Sequence, residues 1–144
     1  MQGYPHHYLS SAAGGKEGNV VVSGKGLPDL DTQSPPEFGG PEGIWSPETM
    51  LSAAVANCFI LTFRAIARAS KFEWNSLECD VEGVLDRVER TTLFTQFNIS
   101  AVLHVPADTR EALAERLLEK AEKMCLITAS LKSEISLTTE IKVD

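Results

Sequence analysis

The stretch from Ser46 to Ser70 constrains the fold more than any other part of this chain. Ser46-Pro47-Glu48 has the grammar of a helix start. The serine side chain can accept from free backbone N–H groups, and proline suits the first helical position. An acidic residue in the first turn suits the positive end of the helix dipole. Beyond it, Met50, Leu51, Ala53 to Ala56, Phe59 to Leu61 and Phe63 leave no face polar. A helix apolar all round must be surrounded by protein or lipid. The uncharged run from Thr49 to Phe63, bounded by Glu48 and Arg64, is shorter than the ~20 residues a membrane span needs. The expectation is a buried central helix reaching about Ser70, with only Arg64, Arg68 and Lys71 at its far end comfortable in water.

The surrounding pattern is α+β. Before the helix, turn residues from Gly14 to Pro28 punctuate short β-prone pieces around His7–Ala12, Asn19–Ser23 and Leu27–Asp31, a small meander. Gln33 to Ser46, with Pro35-Pro36 and Gly39-Gly40-Pro41, forms a structured loop. After the helix, strict alternation predicts two strands. One sets Leu77, Cys79, Val81, Gly83 and Leu85 on one face; the other sets Leu93 through Val105 on one face, and the two can form a hairpin. A second helix follows, with Asp108 as its expected cap and Glu111 completing a capping-box-like pattern. Cys125 to Leu131 is expected to form a short extra helical turn, and Ile135 to Val143 a half-exposed strand. A length of 144 residues fits one domain, residues 1–144.

Charge excludes some partners. With 13 basic against 20 acidic residues and a net charge of -7, the chain lacks the cations that neutralise phosphates, so neither nucleic acid nor an anionic membrane surface is an expected partner. The first ten residues hold no apolar stretch of signal length, which points to the cytoplasm. Three widely spaced cysteines, Cys58, Cys79 and Cys125, form no C-x-x-C. That disfavours both a disulfide framework and a zinc site, and in a reducing compartment leaves transient, catalytic thiol chemistry as the alternative to plain packing.

On residue type alone, each cysteine can be a small core hydrophobe. Cys58 lies mid-helix, without help from that helix's N-terminus, and is expected to need a nearby cation to ionise. Cys125 follows the second helix at a break, where it could pack, resolve a disulfide or ionise at the start of a new turn. Cys79, on the apolar face of a strand, is expected to pack. His104 shares a polar strand face with Gln96, Asn98 and Ser100 and is expected to be solvated. No metal-ligand spacing and no phosphate-binding glycine motif is present.

Three segments together resemble the family of osmotically inducible protein C and the organic hydroperoxide resistance proteins. They are Phe38-Gly39-Gly40-Pro41 with Ser46-Pro47-Glu48, the helix around Ala56-Asn57-Cys58-Phe59, and Ala121-Glu122-Lys123-Met124-Cys125-Leu126-Ile127. The resemblance covers nearly the whole chain. It implies an OsmC-like fold in an intertwined homodimer, with central helices enclosed by sheets of both chains and the active cysteine at the interface. It also implies a peroxidase with no bound cofactor. Cys58 would attack an organic hydroperoxide, Cys125 would resolve the sulfenic acid as a disulfide, and an external dithiol or lipoyl-type reductant would restore both. Glu48, ten residues before Cys58, is ~15 Å away along the same helix, so it would serve the partner chain's site.

The sequence departs from that family at its arginine. Where one branch has a Gly-Gly-Arg-Asp-Gly-like turn, this chain has Gly14-Gly15-Lys16-Glu17-Gly18; where another has an arginine before the central helix, it has Ser34-Pro35-Pro36-Glu37-Phe38. Lys16 is the replacement candidate, supplying charge without the bidentate fork. The departure leaves room for a second function on the same fold: a non-catalytic, stress-related protein binding a small hydrophobic ligand.

Overall fold

The computed structural model describes residues 2–144. The chain divides into two compact units, Met1–Met50 and Leu51–Asp144. In the first, strands β1 (Ser11–Ala13), β2 (Val20–Ser23) and β3 (Leu30–Thr32) form the expected antiparallel meander in the order β1-β2-β3. A single 3-10 turn at Pro36–Phe38 ends on Gly39 in the left-handed region (φ 87°), which glycine enters without steric cost. Gly40 packs so closely on the Ser34 carbonyl that no side chain fits there.

Helix α1 (Pro47–Ala69) starts in the first unit and continues into the second. Its start is capped as the sequence predicts, and reciprocally. The Thr49 N–H donates to Ser46 Oγ at 3.1 Å, and the Ser46 N–H donates to Thr49 Oγ1 at 2.9 Å, so a threonine does the work of the usual Glu or Gln. Its end is a Schellman motif. Lys71 takes φ 52°, the Phe72 N–H donates to the Ala67 carbonyl at 2.9 Å, and the Lys71 N–H to Arg68 at 3.2 Å. Phe72 and Trp74 then meet Phe63 edge-on, at 6.4 and 5.2 Å between ring centroids, which pins the helix end.

The second unit is built on one sheet of order β4-β5-β6. Strands β4 (Ser76–Val88) and β5 (Thr91–Val105) form the expected antiparallel hairpin. Its two-residue turn places Glu89 (φ 49°) and Arg90 (φ 71°) both in the left-handed region, as a type I′ turn demands. A register shift between Val84 and Leu85 breaks the alternation there, so the inward face expected from Leu77 ends at Gly83 and Leu85 is exposed. Helix α2 (Glu111–Met124) and the short α3 (Leu126–Ala129) carry the chain back, and β6 (Glu134–Val143) joins β5 in parallel rather than antiparallel. A parallel pair needs a crossover connection, which the two helices supply.

The expected Asp108 cap does not form. The residue at the N-cap of α2 is Arg110, with no side-chain cap bond. Asp108 lies two residues earlier in the left-handed region (φ 68°), and the Thr109 hydroxyl donates to the Pro106 carbonyl at 2.6 Å. The Pro106–Arg110 turn thus consumes the residues that spacing alone assigned to a cap.

One face of the sheet carries the core. Val55, Phe59, Phe63, Ile66 and Ala67 of α1 meet Phe97, Ile99, Ala101, Leu103 and Val105 of β5 and Ala114, Leu117, Leu118 and Ala121 of α2. Burying each large side chain contributes roughly 1.5–3 kcal/mol. Here α1 departs from expectation. At 23 residues it is long and apolar enough to cross a membrane by length and composition, yet only 28% of its most apolar stretch is buried within the chain, and Leu61 is 50% exposed.

On the opposite face of the sheet, His104 is half-buried rather than freely solvated. Its Nδ1 lies 3.1 Å from Asp144 Oδ1 and its Nε2 3.2 Å from Glu78 Oε1, while the Asn75 amide donates to Asp144 Oδ2 at 2.9 Å. The hydrogen bond to Asp144, with a smaller contribution from Glu78, holds the His104 pKa above its usual range. Asn75 and His104 hold Asp144 below its usual range. A raised histidine stabilises fully below its unfolded value of about 6.5 and loses that as pH rises through the folded value; a lowered carboxylate stabilises above about 3.9 and loses that as pH falls. The clamp is therefore strongest between about pH 4 and 6.5. Melting His104→Gln beside the parent chain across pH should give the largest deficit near pH 5–6, shrinking by pH 9; a deficit independent of pH would dismiss the charged clamp.

Candidate functional site: a thiol pair between two helices

Cys58 stands at the middle of α1, one residue before the buried Phe59, so its side chain lies at the margin of the core and is half-buried. The break between α2 and α3 brings Cys125 to it. Cys125 ends α2 with extended backbone (φ -64°, ψ 113°), is fully buried, and caps the start of α3, where the Thr128 hydroxyl donates to its carbonyl at 3.1 Å. Its thiol lies close enough to the Cys58 sulfur for each to shift the other's ionisation. Both thiols are free.

The two are not equivalent. Burial alone would raise the Cys58 pKa, but the backbone N–H of Ile127, the Cys125 thiol, the Thr62 hydroxyl and the backbone N–H of Leu126 all face its sulfur and together hold it below the usual thiol value. The Thr62 Oγ1 is 3.7 Å from Cys58 Sγ. Burial pushes Cys125 the other way, and the neighbouring Cys58 adds to the rise despite the hydrogen bonds at Thr128. The asymmetry favours ionisation of Cys58 over Cys125. Sequence reasoning expects a side-chain cation beside Cys58; the groups of this chain that face its sulfur and favour its ionised form are neutral donors. Spacing could not reveal this, because Leu126 and Ile127 are distant from Cys58 in sequence and of unremarkable type. Thr62 was within reach of sequence reasoning, as the residue one turn along the same helix face.

Cys79 packs partly buried against the core, and burial, with the charges of Asp80 and Cys125, pushes its thiol up to about 12. Three large apolar side chains near the pair in sequence stay exposed: Leu61 at 50%, Met124 at 57% and Leu126 at 66%. Of the other candidates, Lys16 is exposed in the turn between β1 and β2, in the first unit. Glu48 sits in the first turn of α1, also in the first unit, with Oε1 buried and without a hydrogen-bond partner. Among the described residues, no group of three or more His, Cys, Asp or Glu is placed to hold a metal ion.

An α+β fold whose central helix offers a lowered thiol to a second, buried cysteine defines a class of thiol proteins. Residues 40–140 match the family model described as OsmC-like protein, and this chain belongs to that family. It is 30% identical over 143 residues to the uncharacterized protein YmaD of Bacillus subtilis strain 168, covering 96% of this chain and 94% of that one. It is 26% identical over 105 residues to peroxiredoxin OsmC of Escherichia coli K12, covering 73% and 72%. Among solved structures, an organic hydroperoxide resistance protein OsmC from Legionella pneumophila superposes with TM-score 0.70 at 25% identity, covering 98% of this chain and 100% of that one. The family is associated with peroxide resistance.

Proposed function

We propose that this chain is a thiol peroxidase that reduces organic hydroperoxides. The observation that carries this reading is the meeting of two free thiols, Cys58 at the middle of α1 and the buried Cys125 at the break between α2 and α3, with donors at Cys58 that favour its ionised form. The Cys58 thiolate attacks the terminal oxygen of the hydroperoxide, the O–O bond breaks, and the leaving alkoxide takes a proton to depart as an alcohol. Cys58 is left as a sulfenic acid. The Cys125 sulfur then attacks the Cys58 sulfur, water leaves, and a disulfide forms. An external dithiol or lipoyl-type reductant returns both sulfurs to thiols, as in the reducing cytoplasm. Leu61 and Leu126, exposed and close in sequence to the pair, would favour an alkyl group over hydrogen peroxide.

The test is mass spectrometry of the reduced protein after one equivalent of cumene hydroperoxide, with thiols trapped by alkylation. A fast loss of two hydrogens' mass, mapped to Cys58–Cys125, is expected. Both thiols remaining free while a small-molecule thiol control reacts would remove the peroxidase reading.

The working unit in this proposal is a homodimer. The uncovered apolar side of α1, with Leu61 half exposed, is the motivation. A second copy laid on it would bring the orphaned Glu48 carboxylate to the partner's thiol, with Lys16 supplying the positive charge. Light scattering should give twice 15.7 kDa, falling to the single mass in Leu61→Glu. A monomer at micromolar concentration, or a dimer structure with every Glu48 remote from both Cys58 sulfurs, would sink this arrangement.

A further inference from the structure

Two side chains act on the Cys58 sulfur among the described residues, Cys125 and Thr62, and Thr62 is the one with hydrogen-bond geometry. Cys125 is itself a reacting group of the function proposed above. Thr62 is chemically inert to peroxide and stays in place through the cycle. It lies four residues after Cys58, on the same face of α1 and one turn along, where side chains of a helix meet. A helical threonine ordinarily returns its hydroxyl to the carbonyl one turn back. Here Oγ1 stands 3.7 Å from Sγ, within the longer range of a hydrogen bond to sulfur, and the side chain is half-buried, which limits competition from water.

We propose that Thr62 is the positioning residue of the nucleophile: its hydroxyl donates to Cys58 Sγ, favours the ionised sulfur and holds it toward Cys125. Thiolate formation then draws on neutral donors that this chain itself supplies. The backbone N–H groups of Ile127 and Leu126 face the same sulfur, so the donors come from both sides of the helix interface. The inference uses the peroxidase reading only for the purpose of the thiolate; the ionisation itself needs no peroxide.

The experiment measures the pH midpoint of Cys58 alkylation by iodoacetamide, mapped by mass spectrometry, in the full chain carrying Cys79→Ser and no added peroxide. Thr62→Val keeps the shape and removes the donor. Its midpoint should rise by about one pH unit, the size of one hydrogen bond to a charged group. Thr62→Ser, which keeps the hydroxyl, should restore the parent midpoint. Thr62→Ala gives the same reading if valine disturbs the helix. An unmoved midpoint in both Thr62→Val and Thr62→Ala, or a Thr62→Ser midpoint as high as that of Thr62→Val, overturns the proposal. Failure of peroxide turnover leaves these midpoints unchanged, so the two readings fall separately.

Discussion

Cys58→Ser should lose all hydroperoxide turnover above the uncatalysed rate, while Cys125→Ser should complete one turnover per site and stop. The asymmetry follows from the charge distribution in the pair. The thiolate is the nucleophile, and the donors around Cys58 favour its ionised form while burial disfavours that of Cys125. A serine at 58 offers a hydroxyl that no group in this site ionises. A serine at 125 leaves the attack intact but removes the thiol that condenses with the sulfenic acid, so Cys58 stops as Cys–SOH, which dimedone traps, or is oxidised further. Cys79 cannot rescue either variant. With its thiol pushed up to about 12, on the order of one molecule in ten thousand or fewer carries a thiolate near pH 7.5. Cys79→Ser is accordingly near silent. Rapid-mixing assays with cumene hydroperoxide and a dithiol reductant separate these cases. Sustained turnover in Cys58→Ser would show that another group carries the chemistry, and an equal burst from Cys58→Ser and Cys125→Ser would reverse the roles.

The parts of the fold visible in the sequence are those with a strong local signal. Ser46-Pro47-Glu48 marks the start of α1 because capping needs only residues a turn apart, and the ladder from Phe97 to Val105 shows because alternation has period two. The parts that stayed hidden depend on partners distant along the chain. Asp108 has the chemistry of a cap, but the Pro106–Arg110 turn leaves it two residues short. Leu85 has the right parity for the core, but the bulge after Val84 turns it out. His104 sits in a polar stretch of β5, and its two carboxylates come from β4 and the residue after β6. At the site, family likeness singled out Cys58 and Cys125. The electrostatics of the pair were not legible, because backbone N–H groups leave no mark in a sequence.

Gly83→Ala should destabilise the chain by about 1–3 kcal/mol, although in an unhindered strand the same change gives a gain of about half a kcal/mol or more. A β-carbon at Gly83 would lie 2.7 Å from Ser52 Oγ, 2.8 Å from Phe97 Cε1 and 3.0 Å from Phe94 Cε1. The serine belongs to α1 and the two rings to β5, stacked 5.1 Å apart between centroids, so the absent side chain is what allows β4 to run this close beneath the helix. The rings cannot swing away without leaving the core, in which Phe97 is fully buried. For a chain of this length the loss corresponds to a melting temperature lower by roughly 3–10 °C. Ser52→Ala removes the nearest atom and should recover part of the loss in the double variant, but not all, because Phe97 remains. Ser52 also lies six residues before Cys58 on the same helix, so a shift of α1 at this point is carried toward the thiol pair. The Gly83→Ala chain should therefore form the Cys58–Cys125 disulfide more slowly, even at temperatures where it is fully folded. A melting temperature that rises in Gly83→Ala would mean that β4 and α1 are not in the close contact on which both effects depend.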